Sequence, residues 1–343
     1  MSSSQPLRVV VADDSAFMRR LLADALAGHG FDVVATVEDG DQALTACRGL
    51  RPDVLTLDLA MPGLDGIGVL RGLRTEALPV PVVVVSAFSP AHGARAVDAL
   101  AEGAVDLVAK PAAGEDLSAF LADLGVKVRL AAASRRKRPA AGGQTAALPR
   151  RPSRPSPPRA VLIACSTGGP RALAELLPRL PSPLGAGALI VQHMPPGFTG
   201  SLADRLDRAS ALNVREAEPA DRLDPRTALV APGGRHLRIL ADRTAKLDDE
   251  PPVGGLRPRA DLTIADAARV FGRDLLLVVL TGMGKDGLEG AREVHRRGGR
   301  ILVEAESSCT VYGMPRAIVE AGLADGVHDL SELPEAIASE AGA

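Results

Sequence analysis

The stretch "VLIACSTGGPRAL", residues 161–173, joins an apolar run to a helical pattern through Cys-Ser-Thr-Gly-Gly-Pro. A short, uninterrupted apolar run predicts a strand that is buried on both faces, as in a parallel sheet covered by helices. Ser166 stands where this strand ends and the helix begins. Two interpretations are open at this point: an N-cap, the commoner use of serine before a helix, and a nucleophile presented at the edge of the sheet.

The alternation of apolar runs and helical patterns extends along the whole chain and predicts an α/β protein with doubly wound parallel sheets. Five strands are expected before residue 127, at 7–12, 31–36, 53–58, 80–87 and 104–110. Further strands are expected at 159–165, 187–192, 274–280 and 300–305. The region 211–260 is more irregular, and "TALVAP" (227–232) and "RHLRIL" (235–240) are predicted to pair as a hairpin around Gly233 and Gly234.

Composition divides the chain into a first domain (1–126), a linker (127–158) and a second domain (159–343). Residues 134–159 contain six prolines and eight Lys or Arg but no acid. Such a segment cannot bury a core and is predicted to be an extended spacer. A nucleic-acid tether is the alternative use of a basic run, but no aromatic residues are interleaved here.

The overall composition excludes several functional classes. The chain has 343 residues, of which 46% are hydrophobic, and a formal net charge of −2. This net charge argues against nucleic acid as a partner and against insertion into a membrane. Its three cysteines, Cys47, Cys165 and Cys309, are far apart and form neither a disulfide framework nor a zinc pattern, which favours the reducing cytoplasm. The opening "MSSSQPLRVVVADD" has no signal segment. Nothing in the sequence requires more than a monomer.

Polar residues end the predicted strands of the first domain. Asp13 and Asp14 follow the first strand, Asp58 the third, Ser86 the fourth and Lys110 the fifth. Because carboxyl ends of parallel strands meet at one edge of a sheet, these groups are expected to lie together. Three crowded carboxylates need a counter-charge, and Mg²⁺ is the natural cation for oxygen ligands. A carboxylate beside Mg²⁺ and an ammonium group can accept a phosphoryl group.

The motifs "VVVADDSAFMRR", "DVLTLDLAMPGLDGIGVL", "VVVVSA" and "LVAKP" resemble the receiver domain of response regulators over residues 7 to 126. The resemblance implies a flavodoxin-like fold with Asp58 as phospho-acceptor and a histidine kinase as phosphodonor. It also implies that Asp13, Asp14, Asp58 and the backbone carbonyl of Ala60 hold Mg²⁺. Ser86 and Lys110 would contact the phosphoryl group.

A catalytic use of Ser166 requires a base and an acid that orients the base. His193 in "VQHMPPGFTG" and Asp286 in "LTGMGKDGLEG" both follow predicted strands, as Ser166 does. Backbone N–H groups near Met283 could donate to an oxyanion. Each residue also has an ordinary use, since Asp286-Gly287 is common turn chemistry and His236 competes with His193 as the base.

The motifs "CSTGGP", "VQHMPPGFT", "APGGRHLRI", "LTGMGKDG" and "SSCTVYGMPRAI" resemble the catalytic domain of protein-glutamate methylesterases of bacterial chemotaxis. The resemblance implies hydrolysis of glutamate γ-methyl esters on chemoreceptors, with release of methanol, and deamidation of receptor glutamines. Ser166 would be the nucleophile, His193 the base, Asp286 the orienting acid and the Met283 N–H the oxyanion donor, with Thr167 lining the site. The implied fold is a Rossmann-like hydrolase with a β-hairpin insertion. The resemblance also implies that the esterase reaction needs no cofactor. The unphosphorylated receiver would obstruct the active site.

Two segments depart from the family pattern. Ala164-Cys165 replaces the usual Gly-Ala or Gly-Ser before the serine, and "RPRADL" (257–262) stands where Arg-Pro-Ser-Val-Asp is common. The second segment is expected to border the substrate. Two other functions therefore stay open: a response regulator whose second domain only binds a partner, and a hydrolase of another acyl substrate.

Overall fold

The computed structural model describes residues 5–87, 90–111, 117–135 and 158–342. The chain forms two compact units, Met1–Pro139 and Ala140–Ala343. No helix within these described ranges combines the length and apolar character that crossing a bilayer requires.

The first unit is a parallel sheet with helices between its strands. The strands are β1 (Arg8–Ala12), β2 (Asp32–Val37), β3 (Val54–Leu57), β4 (Val82–Ala87) and β5 (Asp106–Lys110). The helices are α1 (Ala16–Gly28), α2 (Gly40–Leu50), α3 (Gly66–Thr75), α4 (Pro90–Ala101) and α5 (Leu117–Arg135). The sheet order β2-β1-β3-β4-β5 confirms the five predicted strands and places the carboxyl ends of β1 and β3 side by side.

Short polar residues fix where the helices of this unit begin. The side chains of Ser15, Asp39 and Asp65 each accept a hydrogen bond from a backbone N–H in the first turn of α1, α2 and α3. Helix α5 continues to Arg135 and so includes the first residues of the predicted linker. Residues 136–157 of that linker lie outside the described residues.

The second unit is built on a seven-stranded parallel sheet. Its strands are β6 (Ala160–Cys165), β7 (Ala188–Gln192), β8 (Asn213–Glu216), β9 (Thr227–Val230), β12 (Leu275–Val279), β13 (Arg300–Glu304) and β14 (Gly326–His328), in the order β14-β13-β12-β6-β7-β9-β8. The remaining strands, β10 (His236–Ile239) and β11 (Ala245–Asp248), form an antiparallel hairpin. The helices are α6 (Gly169–Leu176), α7 (Phe198–Ala209), α8 (Ala260–Phe271), α9 (Leu288–Arg296), α10 (Met314–Glu320) and α11 (Leu333–Ala341).

The hairpin pairing predicted from the sequence is wrong in its partners. Residues 227–230 do not pair with the strand at 236; they form β9, which joins the main sheet parallel to β7 and β8. The strand at 236 pairs instead with β11. The physical reason is that β9 is fully apolar at Ala228, Leu229 and Val230, so burial in the sheet decides its partner rather than the nearby glycines.

The core of this unit explains why the central strands are uninterrupted apolar runs. All residues of β6, β7 and β12 are buried, because helices cover both faces of the sheet. Ile264 of α8 and Val294 of α9 belong to the core cluster on one face. The polar residues that follow these strands therefore emerge at a single edge of a rigid sheet.

Candidate active site and phosphoryl-accepting site

Ser166 lies directly after β6 and does not cap the following helix. Helix α6 begins at Gly169, and its N-cap is Gly168, which has a φ of 80° and makes no side-chain cap. The Ser166 N–H donates to Thr281 O (3.0 Å), and the Ser166 carbonyl accepts from Gly169 N (2.7 Å). The N-cap interpretation of Ser166 is therefore wrong, because backbone hydrogen bonds and a glycine form the strand-to-helix turn.

The structure places His193 beside Ser166 on the neighbouring strand. Cys165 of β6 is in register with Gln192 of β7, so Ser166 and His193 both come one residue later. The His193 N–H donates to Cys165 O (3.1 Å). Because adjacent strands are about 4.8 Å apart, Ser166 and His193 are neighbours at this edge of the sheet. The Ser166 hydroxyl makes no hydrogen bond with any described residue, an arrangement common in enzymes without substrate.

Asp286 holds the other side of the His193 ring. His193 Nε2 lies 2.7 Å from Asp286 Oδ2, and Asp286 is only 3% exposed. The carboxylate also accepts backbone N–H groups of Ala260 (2.8 Å), Asp261 (3.0 Å) and Gly287 (2.9 Å). Burial by itself would raise the pKa of Asp286, but the hydrogen bond and charge of His193, aided by the backbone N–H groups, lower it to about 2. Asp286 is thus an anion at neutral pH, and the imidazole Nδ1 is left to act on Ser166.

The loop after β12 brings an unpaired backbone donor to the same place. The Met283 N–H has no acceptor among the residues that the structure describes, and the Met283 side chain is exposed. Gly282 anchors this loop, since its carbonyl accepts from Gly313 N (3.1 Å) and Met314 N (2.8 Å). Thr167, predicted to line the site, is buried, and its carbonyl accepts from Thr281 Oγ1 (2.9 Å).

Sequence reasoning missed Gln192, which ties the two strand ends together. Gln192 is buried, with 2% of its surface exposed. Its Nε2 donates to the carbonyls of Ser166 (3.0 Å) and His193 (2.9 Å), and its Oε1 accepts from Cys165 Sγ (3.0 Å). A Cβ at Gly169 would collide with Gln192 Oε1, so the second glycine of "CSTGGP" makes room for this clamp. The only sequence signal for this role is a glutamine at the end of an otherwise apolar predicted strand, directly before His193.

The competing histidine, His236, has a different role. It is fully buried; its Nε2 lies 3.2 Å from the Pro251 carbonyl, and its Nδ1 accepts from Arg259 N (3.2 Å). These partners assign a neutral ring with the proton on Nε2. His236 therefore supports the loop that carries Ala260 and Asp261 to Asp286.

The departing segment 257–262 lies against Asp286, and this contact was also missed. Arg259 Nε lies 2.8 Å from Asp286 Oδ1, and Arg259 Nη2 donates to Asp261 Oδ2 (2.8 Å). The sequence could not reveal this because Arg259 and Asp286 come from separate loops.

In the first unit the predicted acidic residues do meet. Ligand oxygens of Asp13, Asp14 and Asp58 all lie within 4.8 Å of one another. Lys110 Nζ lies 2.7 Å from Asp13 Oδ2 and 2.8 Å from Asp58 Oδ2. Burial raises the pKa of Asp13 against the opposing effect of Lys110. Burial lowers the pKa of Lys110, but the two carboxylates outweigh it and raise that pKa.

The donor set fits a hard divalent cation with Lys110 as a second counter-charge. Carboxylate oxygens are the ligands that Mg²⁺ prefers, and Asp13 Oδ2 is buried without a well-aligned hydrogen bond. Ala60, two residues after Asp58, is exposed, and its N–H donates to Asp58 Oδ1 over 3.4 Å. Ser86 is buried near the end of β4, and its hydroxyl donates to Ala87 O over a long distance (3.4 Å).

Comparison with known proteins assigns both units. Residues 161–337 match the family model described as CheB methylesterase, and residues 9–122 match the response regulator receiver domain. A protein-glutamate methylesterase/protein-glutamine glutaminase of Symbiobacterium thermophilum is 44% identical, with 98% of each chain covered. One with the same description from Pyrococcus abyssi is 37% identical, covering 98% of this chain and 94% of that protein.

A solved structure supports the assignment of the second unit. The CheB methylesterase catalytic domain of Thermotoga maritima is 41% identical, with a TM-score of 0.52, and the match covers 54% of this chain and 99% of that one. The chain therefore belongs to the protein-glutamate methylesterase/protein-glutamine glutaminase family, in which a response regulator receiver domain precedes a CheB methylesterase domain.

Proposed function

We propose that this chain hydrolyses glutamate γ-methyl esters on the cytoplasmic parts of chemoreceptors, releases methanol, and deamidates receptor glutamines. The observation that carries the proposal is the 2.7 Å contact between His193 Nε2 and Asp286 Oδ2, with Ser166 at the neighbouring strand end. A base that is oriented by an anion, next to a serine, is the arrangement that acyl transfer needs.

Each residue has a distinct role in the proposed reaction. Ser166 Oγ attacks the ester carbonyl while His193 Nδ1 takes its proton, and the Met283 N–H stabilises the oxyanion. His193 then gives the proton to the departing methanol, which leaves an acyl-enzyme. Water, activated by the same imidazole, releases the glutamate carboxylate. Asp286 keeps the ring in one tautomer throughout, and Thr167 lines the site.

The first unit is proposed to control this activity. Asp58 accepts a phosphoryl group from a histidine kinase, Lys110 and Ser86 contact its oxygens, and the unphosphorylated receiver inhibits the esterase. Asp13, Asp14, Asp58 and the Ala60 carbonyl would hold Mg²⁺, which when bound neutralises charge on the phosphoryl oxygens. Of the segment 127–158 that composition predicts as linker, the part that follows helix α5, which ends at Arg135, is proposed to serve as the linker.

The catalytic proposal is tested by methanol release from a receptor carrying glutamate methyl esters. Ser166→Ala should reduce kcat by a factor of about 10³ or more, because the nucleophile is lost. Ser201→Ala, a half-buried serine in α7, and His295→Gln, an exposed histidine in α9, are matched controls that should retain activity. If Ser166→Ala released methanol at the wild-type rate, the serine mechanism would be wrong.

Control by phosphorylation is tested on the full chain with acetyl phosphate as the phosphodonor. Methanol release should rise with acetyl phosphate and Mg²⁺, and Asp58→Asn should abolish the rise without lowering the basal rate. Asp24→Asn, an exposed carboxylate on α1, is the matched control. Deletion of residues 1–155 should also raise the basal rate. A fall in kcat/KM after the deletion would argue against inhibition by the receiver.

A further inference from the structure

Arg259 lies between a buried carboxylate, Asp286, and a partly buried one, Asp261, at the rear of the proposed triad. Its Nε is 2.8 Å from Asp286 Oδ1, and its Nη2 donates to Asp261 Oδ2 at 2.8 Å. Its side chain is 19% exposed, against 14% for Asp261 and 2% for Asp286. The Arg259 Nε–H is not aimed at the Asp286 oxygen and has no aligned acceptor. The contact with Asp286 is therefore one of charge more than of directed hydrogen bonding.

The backbone of the same segment fixes this arrangement. The N–H groups of Ala260 and Asp261 donate to the two Asp286 oxygens, and the Arg259 N–H donates to His236 Nδ1. Asp261 Oδ1 accepts from Gly290 N (2.9 Å). These backbone contacts hold the segment that carries Arg259 against Asp286.

The Arg259 guanidinium offsets one of the two negative charges that lie behind the imidazole. Burial, joined by the charge of Asp286, raises the pKa of Asp261 although the Gly290 N–H and Arg259 oppose it. Without the guanidinium, two anions would face one another behind His193, and a proton on the imidazole would be the nearest available counter-charge. Among the residues that the structure describes, the titratable or charged groups in contact with this cluster are His193, His236, Arg259, Asp261 and Asp286. His236 accepts the Arg259 N–H at Nδ1, so its ring carries no proton there, and Lys285, which precedes Asp286 in the chain, is exposed.

We propose that Arg259 is a positioning residue that offsets one negative charge of the Asp261–Asp286 pair and so makes it easier for the His193 imidazole to be free to accept the Ser166 proton. The proposal rests on the proposed function of the triad. Arg259 touches no reacting atom, and it acts on the reaction through Asp286.

The test is the pH profile of kcat/KM for methanol release from a methyl-esterified receptor peptide, measured on full-length variants between about pH 5 and pH 9. Arg259→Met removes one positive charge beside Asp286, so protonation of His193 becomes easier. The acid limb of the profile should move to higher pH by about half to one unit, with a smaller change in the plateau. Arg259→Lys keeps the charge and should leave the limb close to its wild-type position.

Two further variants separate charge from structure. Asp261→Asn removes a negative charge and should move the acid limb to lower pH. Because this change is milder, it tests the effect of charge even if Arg259→Met fails to fold. The double variant Arg259→Met/Asp261→Asn restores the net charge and should return the limb to its wild-type position. Arg273→Met, at an exposed ion pair, is the matched control.

The proposal is overturned by a lowered plateau with an unmoved limb in Arg259→Met, by equal shifts in Arg259→Lys and Arg259→Met, or by an unmoved limb in Asp261→Asn. Ser166→Ala in the same assay distinguishes the two levels of inference. If that variant is inactive while the Arg259 variants leave the limb unmoved, only the charge-balancing role fails. If it remains active, the triad itself is wrong.

Discussion

The narrow fit between Gly282 and Ser166 yields the sharpest prediction. Gly282 has no positive φ, so alanine is allowed there by the backbone, and any effect of Gly282→Ala is steric. The new Cβ would lie 2.8 Å from Ser166 Cβ and 2.5 Å from Met314 Sδ. Carbon atoms pack at about 3.5–4.0 Å, so the Cβ atoms of residues 282 and 166 must move apart by about 0.7–1.2 Å. A displacement of about 1 Å can cost about 10²-fold in rate, and overpacking costs about 1–3 kcal/mol of stability.

The assay is steady-state methanol release, with kcat and KM measured separately, alongside urea unfolding. We expect kcat to fall about 100-fold with little change in KM, because the nucleophile is displaced while the surrounding surface persists. Gly200→Ala is the matched control: it lies in α7, where the added Cβ meets Glu216 Oε2 at 3.4 Å, an ordinary contact. That variant should keep full activity and gain about 0.5–1 kcal/mol. A Gly282→Ala enzyme with wild-type kcat would refute the steric reasoning.

Three further predictions follow from buried groups. The depressed pKa of Asp286, about 2 against an ordinary 3.8, should contribute about 2 kcal/mol of stability that is present above about pH 4 and lost as the pH falls through 2. The stability difference between wild type and Asp286→Asn, measured by urea unfolding against pH, should shrink over that range; a constant difference would contradict the assignment. Gln192→Leu removes the side-chain donor to the His193 carbonyl and one of the two donors to the Ser166 carbonyl, which keeps Gly169 N. It should therefore cost about 1–3 kcal/mol of stability and lower kcat more than it raises KM, as checked by unfolding and kinetics. Cys47, Cys165 and Cys309 are all buried, and burial raises the pKa of Cys47 to about 11, so a thiol reagent at about pH 8 should label none of them in the native protein and all three in denaturant.

The sequence predicted the parallel strands well because their signal is local. Runs such as residues 160–165 and 275–279 are apolar throughout and strand-sized, and a strand that is covered on both faces buries such a run completely. The convergence of Ser166, His193 and Asp286 followed from the rule that parallel strands present their carboxyl ends at one edge. The predicted pairing of β9 was wrong. Gly233 and Gly234 resemble a hairpin turn in the sequence whether or not the strands on either side of them pair.

The supporting residues of the site could not be predicted because their partners are set by packing between distant segments. Gln192 reads as the last residue of a buried strand, yet its amide bonds two neighbouring backbones. Arg259 reads as a surface arginine in a proline-containing loop, yet it contacts a carboxylate from another loop. Neither interaction has a spacing along the chain that a motif could record.

The strand order of the second unit has a consequence for synthesis on the ribosome. Strand β6 lies at the centre of the sheet, between β7 and β12. Its neighbour β7 is synthesised shortly after it. Its other neighbour, β12, comes more than a hundred residues later in the chain, where Leu275 pairs with Ala160. Until then a fully apolar strand has an open edge, which is a template for association between nascent chains. Folding of this unit should therefore be slow and late, and chains cut short before β12 should be prone to aggregate.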